Sequence, residues 1–357
     1  MNPTDQRRSL HDRRIEQIVP LVTPALLLYE HPLPPEQASA VLRSRDEVTA
    51  VLDGRDERLL VVVGPCSVHD PKAALEYAER LAGEAAELPD LLVVMRVYFE
   101  KPRTTTGWKG LINDPHLDDS GDVNTGLRMA RCLLLEVLGL GLPTGCEFLD
   151  PITPQYISDT VSWGAIGART TESQIHRQLG SGLSMPIGFK NGTDGNAQVA
   201  VDAVRAAAAR HSFPGVDPDG TPAILHTTGN ADAHVILRGG RAEPNYGAED
   251  VADALDRLAA VGLPERVVVD ASHDNSRKDP VRQAQVAEAL AGQVAAGNRG
   301  IVGVMLESFL LAGRQNLGRD EELVYGQSIT DACMDWESTS EVLDHLAEAV
   351  RVRRDRA

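Results

Sequence analysis

Cysteine is scarce in this chain of 357 residues, which has only four, and no two of them show the C-x-x-C spacing of a zinc or redox motif. So few cysteines exclude a small disulfide-stapled scaffold and are typical of a protein from a reducing compartment. We therefore expect a buried apolar core to provide the stability, and the chain is long enough to form a large one.

Long hydrophobic runs are also missing. The N-terminus, MNPTDQRRSLHDRR, is polar and charged, and it lacks the apolar segment of a signal peptide. The longest apolar runs, such as Leu59–Gly64, have the length of a strand and are too short to cross a bilayer. The sequence predicts a soluble, cytoplasmic protein.

Positive charge is in deficit, with 35 Lys and Arg against 52 Asp and Glu and a formal net charge of −17. This balance argues against a nucleic-acid partner, which would need a basic face. It does not exclude phosphorylated substrates, because charges more than about 8 Å apart are largely screened at physiological salt. A local cluster of Arg and Lys would be sufficient for an anion site.

The first 58 residues differ in pattern from the remainder. Helical patterns cover Ser9–Val19 and Pro35–Leu52, with a proline-rich stretch between them and no motif that suggests chemistry. We interpret residues 1–58 as an N-terminal extension with a role in oligomerisation or regulation, and residues 59–357 as the catalytic domain.

From Leu59 onward, short apolar runs alternate with Ala- and Leu-rich helical stretches. The runs are apolar throughout, as expected for parallel strands buried on both faces. Eight of them predict a (β/α)8 TIM barrel. They are Leu59–Gly64, Leu91–Tyr98, Thr144–Phe148, Ala165–Ala168, Pro186–Phe189, His234–Arg238, Arg266–Asp270 and Ile301–Leu306. A further apolar segment, Ala223–Thr228, predicts a small β-hairpin inserted before the sixth strand.

Residues with metal-ligand chemistry follow strands that are neighbours in a closed barrel. Cys66 follows the first strand, His273 the seventh and Glu307 the eighth, while Asp331 lies in the next loop. A thiolate, an imidazole and two carboxylates suit Mn²⁺, Fe²⁺, Co²⁺ or Zn²⁺ better than Mg²⁺. Having one Cys only and two oxygen ligands speaks against a closed structural zinc site.

A second group of strand-end residues is cationic. Arg and Lys side chains in one place favour an anionic ligand, because without one they repel each other. The group is Arg96, Lys101, Arg103, Arg169, Lys190 and Arg238.

Each of these residues also has a simpler interpretation. Cys66 taken alone could be a core residue, as Cys132, Cys146 and Cys333 are read. Asp331 could cap a helix over Ala332–Trp336. His273 could be a structural loop histidine, and Glu307 could pair with a nearby arginine. The metal hypothesis depends on all four meeting at one end of the barrel.

These residues lie in long, specific segments, including GPCSVHDP, MRVYFEKPRTTTGWKGLINDPH, SWGAIGARTTESQ, GFKNGTDG, ILRGG, EPNY and SITDAC. From about residue 12 to 353 the chain resembles the type I 3-deoxy-D-arabino-heptulosonate 7-phosphate (DAHP) synthases, of the microbial kind regulated by aromatic amino acids. The resemblance implies a transferase that condenses phosphoenolpyruvate with D-erythrose 4-phosphate, the first step of the shikimate pathway to chorismate.

The resemblance also implies residue roles. Cys66, His273, Glu307 and Asp331 would hold one divalent metal ion. Arg103 and Thr104 would hold the phosphate of erythrose 4-phosphate. The residues implied for phosphoenolpyruvate are Arg96, Lys101, Arg169, Lys190, Arg238 and the backbone of Ala168. Lys101, His273 and Glu147 would be catalytic, with Glu147 near the enol carbon and the attacking water.

An aromatic amino acid would bind away from the metal, and a homodimer or homotetramer is expected. The implied effector residues are Pro154, Gln155, Leu179, Leu183, Ser184, Phe213 and Gly215. Because Gly215 stands where some relatives have Ser, the extra space favours tyrosine over phenylalanine.

The chain departs from the family at Asp274 and Ala271, which replace a small and a bulkier residue respectively, and in the segment LESFL after Glu307. None of these changes removes a ligand or a cation.

Two rival hypotheses remain for the function. One is an octulosonate-phosphate synthase, against which the segment KPRTTTGWKG argues. The other is a catalytically silent barrel that senses aromatic amino acids or binds a chorismate mutase.

Overall fold

The computed structural model of the chain describes residues 10–103, 105–318 and 322–356. Eight parallel strands close into a barrel, which confirms the predicted (β/α)8 fold. They are β1 (Leu59–Gly64), β2 (Leu91–Arg96), β3 (Thr144–Glu147), β4 (Trp163–Ile166), β5 (Ile187–Lys190), β8 (His234–Leu237), β9 (Val267–Asp270) and β10 (Ile301–Glu307). The predicted hairpin is formed by β6 (Ser212–Val216) and β7 (Pro222–His226).

The order around the barrel is β1-β10-β9-β8-β5-β4-β3-β2, so β1 lies between β2 and β10. In register, Gly64 at the end of β1 pairs with Glu307 at the end of β10. Because all strands are parallel, the residues that follow them meet at one end of the barrel.

Helices cover the outside of the barrel or close its lower end. They are α1 (Pro24–Glu30), α2 (Pro35–Leu52), α3 (Pro71–Glu87), α4 (Val123–Gly139), α5 (Pro154–Ile157), α6 (Gln174–Gly182), α7 (Ala197–Ala207), α8 (Ala248–Ala260), α9 (Pro280–Ala295) and α10 (Trp336–Asp355). Two of these, α3 and α9, begin with a proline after an aspartate cap; the side chain of Asp70, for example, accepts hydrogen bonds from the first turn of α3.

The strands have two apolar faces that belong to different clusters. On β1, Leu59, Val61 and Val63 pack with the outer helices. Leu60 and Val62 belong to an inner cluster that also includes Val48, Val51 and Leu52 of α2. Helix α2 therefore closes the lower end of the barrel, opposite the strand ends that carry polar residues.

The predicted helix over Ser9–Val19 is wrong for residues 11–19, which form turns and extended chain. Their apolar side chains have no core to cover, and Ile18 and Val19 are exposed. Without a surface for an apolar face, a short helical pattern is not stable.

Glycines in two helices offer a matched stability test. A Cβ at Gly126 of α4 would lie 2.2 Å from the carbonyl oxygen of Ile112, whereas a Cβ at Gly83 of α3 meets nothing within 4 Å. Gly126→Ala should destabilise the protein by about 1–3 kcal/mol through overpacking. Gly83→Ala should stabilise it by about 0.5–1 kcal/mol through helix propensity. Thermal unfolding midpoints measure both, and equal midpoints for the two variants would contradict the packing at Gly126.

Candidate active site

A polar cavity of about 200 Å³ lies at the end of the barrel where the strands finish. Its lining combines cations with a few acids. Contributors include Lys101, Arg103, Glu147, Ala168, Arg169, Lys190, Arg238, His273, Lys278 and Asp331. The structure thus brings most of the residues predicted from the strand ends into one cavity. Thr104 lies outside the described residues.

Three of the four predicted metal ligands form one cluster. The Cys66 sulfur and carboxylate oxygens of Glu307 and Asp331 all lie within 4.8 Å of one another. His273 lies beside them, with its Nε2 3.6 Å from Oε1 of Glu307, but it is not a member of that mutual set. The thiol and two carboxylates come from β1, β10 and the loop after β10, as the barrel order requires.

Each member of this cluster contacts a cation of the protein. Lys101 Nζ donates to the Cys66 sulfur at 2.8 Å. Arg96 donates to Glu307 at 2.8 Å, and Lys278 donates to Asp331 at 2.9 Å. The two carboxylates are thus stabilised by neighbouring positive charge, which buried carboxylates require.

The pKa values follow from these contacts. Burial raises the pKa of the Cys66 thiol, and Glu307 raises it further. Burial alone would lower the pKa of Lys101, but the neighbouring Cys66 and Glu307 raise it, so the ammonium stays charged. Burial opposes ionisation of Asp331, yet Lys101 and Lys278 hold its pKa below the ordinary value.

The imidazole of His273 is fixed by its neighbours. Its Nδ1 lies 2.9 Å from Oδ2 of Asp270 and 2.7 Å from the hydroxyl of Ser272, while the backbone takes a positive φ of 53°. Burial lowers the pKa of His273, and the ammonium of Lys190 lowers it further. A neutral imidazole whose Nδ1 faces a carboxylate is the usual arrangement of a metal-binding histidine.

The donor set fits a divalent transition metal. One sulfur, two carboxylates and an adjacent neutral imidazole form a mixed-softness set that suits Mn²⁺, Fe²⁺, Co²⁺ or Zn²⁺. The alternative for Asp331 as a helix cap is wrong, because α10 begins at Trp336 and is capped by Asp335. The simpler interpretation of Cys66 as an isolated core residue does not account for two carboxylates near its sulfur.

The predicted cations occupy two environments. Arg96 is fully buried; it lies 3.6 Å above the ring of Tyr98 and donates to the carbonyls of Pro65 and Cys66. Lys190 is also buried, and its Nζ lies 2.9 Å from Oδ2 of Asp270.

Of Arg238, Arg169 and Arg103, the first is buried and the other two are exposed. Arg238 is 6% exposed and donates to Asp274. Arg169 and Arg103 are exposed, and Arg103 donates to the carbonyl of Trp108 at 2.8 Å. The positive charge is therefore graded from a buried floor to an accessible rim.

Glu147 is buried at the end of β3 and lines the cavity. A Cβ at Gly167 would lie 2.1 Å from its Oε1, so a larger residue there would displace this carboxylate. Gly167 precedes Ala168, which also lines the cavity, and β3 pairs with β4 through Glu147 and Ala165.

The predicted effector residues are only partly brought together. A second, mainly apolar cavity of about 470 Å³ is lined by Gln155, Phe213 and Gly215, together with residues of the hairpin and Ile175. The other four predicted residues do not line it: Pro154, Leu179, Leu183 and Ser184.

Sequence reasoning missed two residues that complete the site. Asp270 contacts both Lys190 and His273, and Lys278 contacts Asp331. Both lie within five residues of His273, in the strand and loop already identified. The signal available in the sequence was the high density of charged residues in VDASHDNSRKD. Which of these residues pair with one another depends on the conformation of the loop.

No helix of the described residues is long and apolar enough to span a membrane.

The fold and site define a class: a TIM-barrel protein whose cationic cavity adjoins a candidate metal cluster. The DAHP synthetase I family model matches residues 35–344, and the chain belongs to this family. It is 55% identical over 344 residues to the Phe-sensitive phospho-2-dehydro-3-deoxyheptonate aldolase of Escherichia coli strain K12, covering 96% of this chain and 98% of the relative.

The phospho-2-dehydro-3-deoxyheptonate aldolase of Corynebacterium glutamicum is 53% identical over 354 residues, covering 97% of this chain and 96% of the relative. The solved structure of the Francisella tularensis SCHU S4 aldolase superposes with a TM-score of 0.94 at 49% identity, over 96% of this chain and 100% of that one. Other relatives are named Trp-sensitive or Tyr-sensitive.

Proposed function

We propose that this protein is a DAHP synthase, a transferase that joins phosphoenolpyruvate to D-erythrose 4-phosphate and water and releases DAHP and inorganic phosphate. The observation that carries the proposal is the juxtaposition of the Cys66, Glu307 and Asp331 cluster with a cationic cavity. Family membership over nearly the whole chain supports the same reaction. A silent sensor barrel would have no need for this cluster of buried, paired charges.

Phosphoenolpyruvate is assigned to the buried cations and to Arg169 at the rim. A planar guanidinium binds a carboxylate or phosphate through two parallel hydrogen bonds, and lysine adds a compact charge. We assign this substrate to Arg96, Lys101, Arg169, Lys190, Arg238 and the backbone of Ala168. Arg103, at the exposed rim, is assigned with Thr104 to the phosphate of the aldose.

The chemistry follows from the arrangement. The enol carbon C3 attacks the aldehyde carbon C1, and the new alkoxide needs a proton. Lys101 is buried and charged beside the metal cluster, so it is the group that donates this proton. Water then adds at C2 with Glu147 nearby, and the bond between C2 and the phosphate oxygen breaks. Holding two polyanions together in one cationic cavity lowers a barrier that is high in water.

Cys66, His273, Glu307 and Asp331 would hold one divalent metal ion. When bound, such a cation supplies a Lewis acid for the aldehyde oxygen. Metal binding would require the thiolate form of Cys66, and the Lys101 ammonium, whose Nζ lies 2.8 Å from the sulfur, favours that form.

The activity test uses phosphoenolpyruvate, erythrose 4-phosphate and a divalent metal, and measures phosphate release and heptulosonate formation. We expect turnover with this mixture, and we expect a chelator to abolish it. A five-carbon aldose phosphate should not substitute for erythrose 4-phosphate. Cys66→Ala should lower turnover at least about 100-fold, because a metal ligand is lost. Lys190→Ala and Arg169→Ala should nearly abolish it, because they remove substrate-binding charge.

The matched control is Cys132→Ala. This cysteine is only half-buried, and its sulfur lies 3.4 Å from Nδ1 of His31, so its loss should leave turnover unchanged. A Cys66→Ala protein that is as active as the wild type, with or without chelator, would refute the ligand assignment.

The N-terminal extension is proposed to form an interface between copies of the chain. It presents apolar side chains to solvent, among them Leu10, Ile15, Ile18 and Val19, which are 54% to 79% exposed. Such a patch is typical of a surface that is covered in an oligomer. Light scattering on the purified full chain should give the mass of a dimer or tetramer. A monomer at micromolar concentration would contradict this role.

We further propose that an aromatic amino acid, tyrosine in preference to phenylalanine, inhibits the enzyme from the apolar cavity. A Cβ at Gly215 would lie 2.6 Å from Cδ1 of Leu225, so Gly215→Ser would push Leu225 into this cavity. We expect tyrosine inhibition to weaken by about tenfold in this variant, as pocket contacts of this size allow. Gly292→Ser, where a Cβ meets nothing within 4 Å, is the control. Inhibition of the wild type by phenylalanine alone would overturn the preference.

A further inference from the structure

The loop after β9 places a carboxylate against a cation of the active-site cavity. Asp274 accepts a hydrogen bond from Nη1 of Arg238, in an ion pair between the two side chains. Arg238 lines the catalytic cavity, whereas Asp274 lines a neighbouring pocket with Arg241, Arg277 and Lys278. The carboxylate therefore belongs to the adjoining pocket, while the guanidinium that it contacts belongs to the cavity.

The backbone holds Asp274 in this place. Gly239, which follows Arg238, has a φ of +79°, and a Cβ there would lie 2.6 Å from the carbonyl carbon of Asp274 and 2.5 Å from the nitrogen of Asn275. The side chain of Asn275 also donates to the carbonyls of Leu237 and Asp270. The two strand ends are thus locked together, and the carboxylate of residue 274 remains next to the guanidinium.

The side chain of Asp274 is less constrained than its backbone. It is 24% exposed, and among the described residues its carboxylate is paired with Arg238 alone. The carboxylate of Asp270 differs from that of Asp274. It is fully buried, and it contacts Lys190, Ser272 and His273. Asp270 is a fixed part of the core, while the Asp274 carboxylate can be displaced.

Arg238 retains capacity for a second anion. Its Nε is buried and has no hydrogen-bond partner among the described residues. A buried donor without a partner is costly, so an incoming oxyanion gains from satisfying it. That anion would nevertheless share the guanidinium with Asp274 and be repelled by its charge.

We propose that Asp274 is an affinity-setting residue, an internal carboxylate that competes with phosphoryl groups for Arg238. It weakens the binding of phosphoenolpyruvate and speeds the departure of the inorganic phosphate product. The inference rests on the proposed function, since it assigns the anion at Arg238 to that reaction. Asp274 also orients Arg238, but the two roles have opposite signs: loss of the orientation would weaken anion binding, whereas loss of the competing charge strengthens it.

The test is direct binding to the full-length enzyme at saturating metal, by calorimetry. Asp274→Asn preserves the size of the side chain and removes its charge. We expect the Kd for phosphoenolpyruvate and for inorganic phosphate to fall by about tenfold, with the KM for erythrose 4-phosphate unchanged. Asp274→Ser, which also removes the charge, should behave in the same way.

Glu243→Gln is the matched control. Glu243 lines the same neighbouring pocket and is exposed, and no hydrogen bond or ion pair joins it to Arg238 among the described residues. The same loss of charge there should leave both Kd values unchanged. Unchanged or weaker phosphoenolpyruvate binding in both Asp274 variants would overturn the proposal. Heptulosonate formation by the wild type tests the proposed DAHP synthase activity independently of Asp274. A failure of that activity can therefore be distinguished from a failure of the role proposed for Asp274.

Discussion

The ion pair between Arg96 and Glu307 is the contact on which the site depends. Both side chains are at most 1% exposed, and the two charges lie 2.8 Å apart. A buried ion pair is stable only if its remaining donors are satisfied. Arg96 meets this condition with the carbonyls of Pro65 and Cys66 and the ring of Tyr98. The pair thereby ties the ends of β2, β1 and β10 together at the candidate metal cluster.

Barrel closure explains why distant parts of the sequence meet at this pair. The register places Gly64, which lies two residues before Cys66, opposite Glu307. Gly64 and Glu307 are more than 240 residues apart in sequence. The neighbouring strand β9 brings Asp270 and His273 to the same end. The apolar strands supply only the framework, and the polar residues just beyond them carry the chemistry, as in other TIM barrels.

The sequence was sufficient to predict the strands, because short apolar runs rich in β-branched residues, such as LLVVV, are typical of strands buried on both faces. It was less accurate at their ends. The fourth strand begins at Trp163 and not at Ala165, because Trp163 pairs with Gly145 of β3, a contact that a local pattern does not reveal. The ligand candidates follow from strand ends, whereas the pairing of Lys278 with Asp331 depends on a loop conformation with positive φ at residues 277 and 278.

The N-terminal region has two parts with different physical roles. Helix α2 contributes Val48, Val51 and Leu52 to the inner core, so it cannot leave without opening the barrel. The preceding segment is held by polar contacts, since Val22 accepts from Tyr156 and Ala25 donates to Pro218 in the hairpin, and by Leu27 of α1, which is fully buried in the outer core. Residues 10–21 before this anchor are exposed, so they are the least tightly held part of the N-terminal region. The apolar cavity lies between the hairpin and the loop before α5, and none of its lining residues belongs to the inner core that α2 closes.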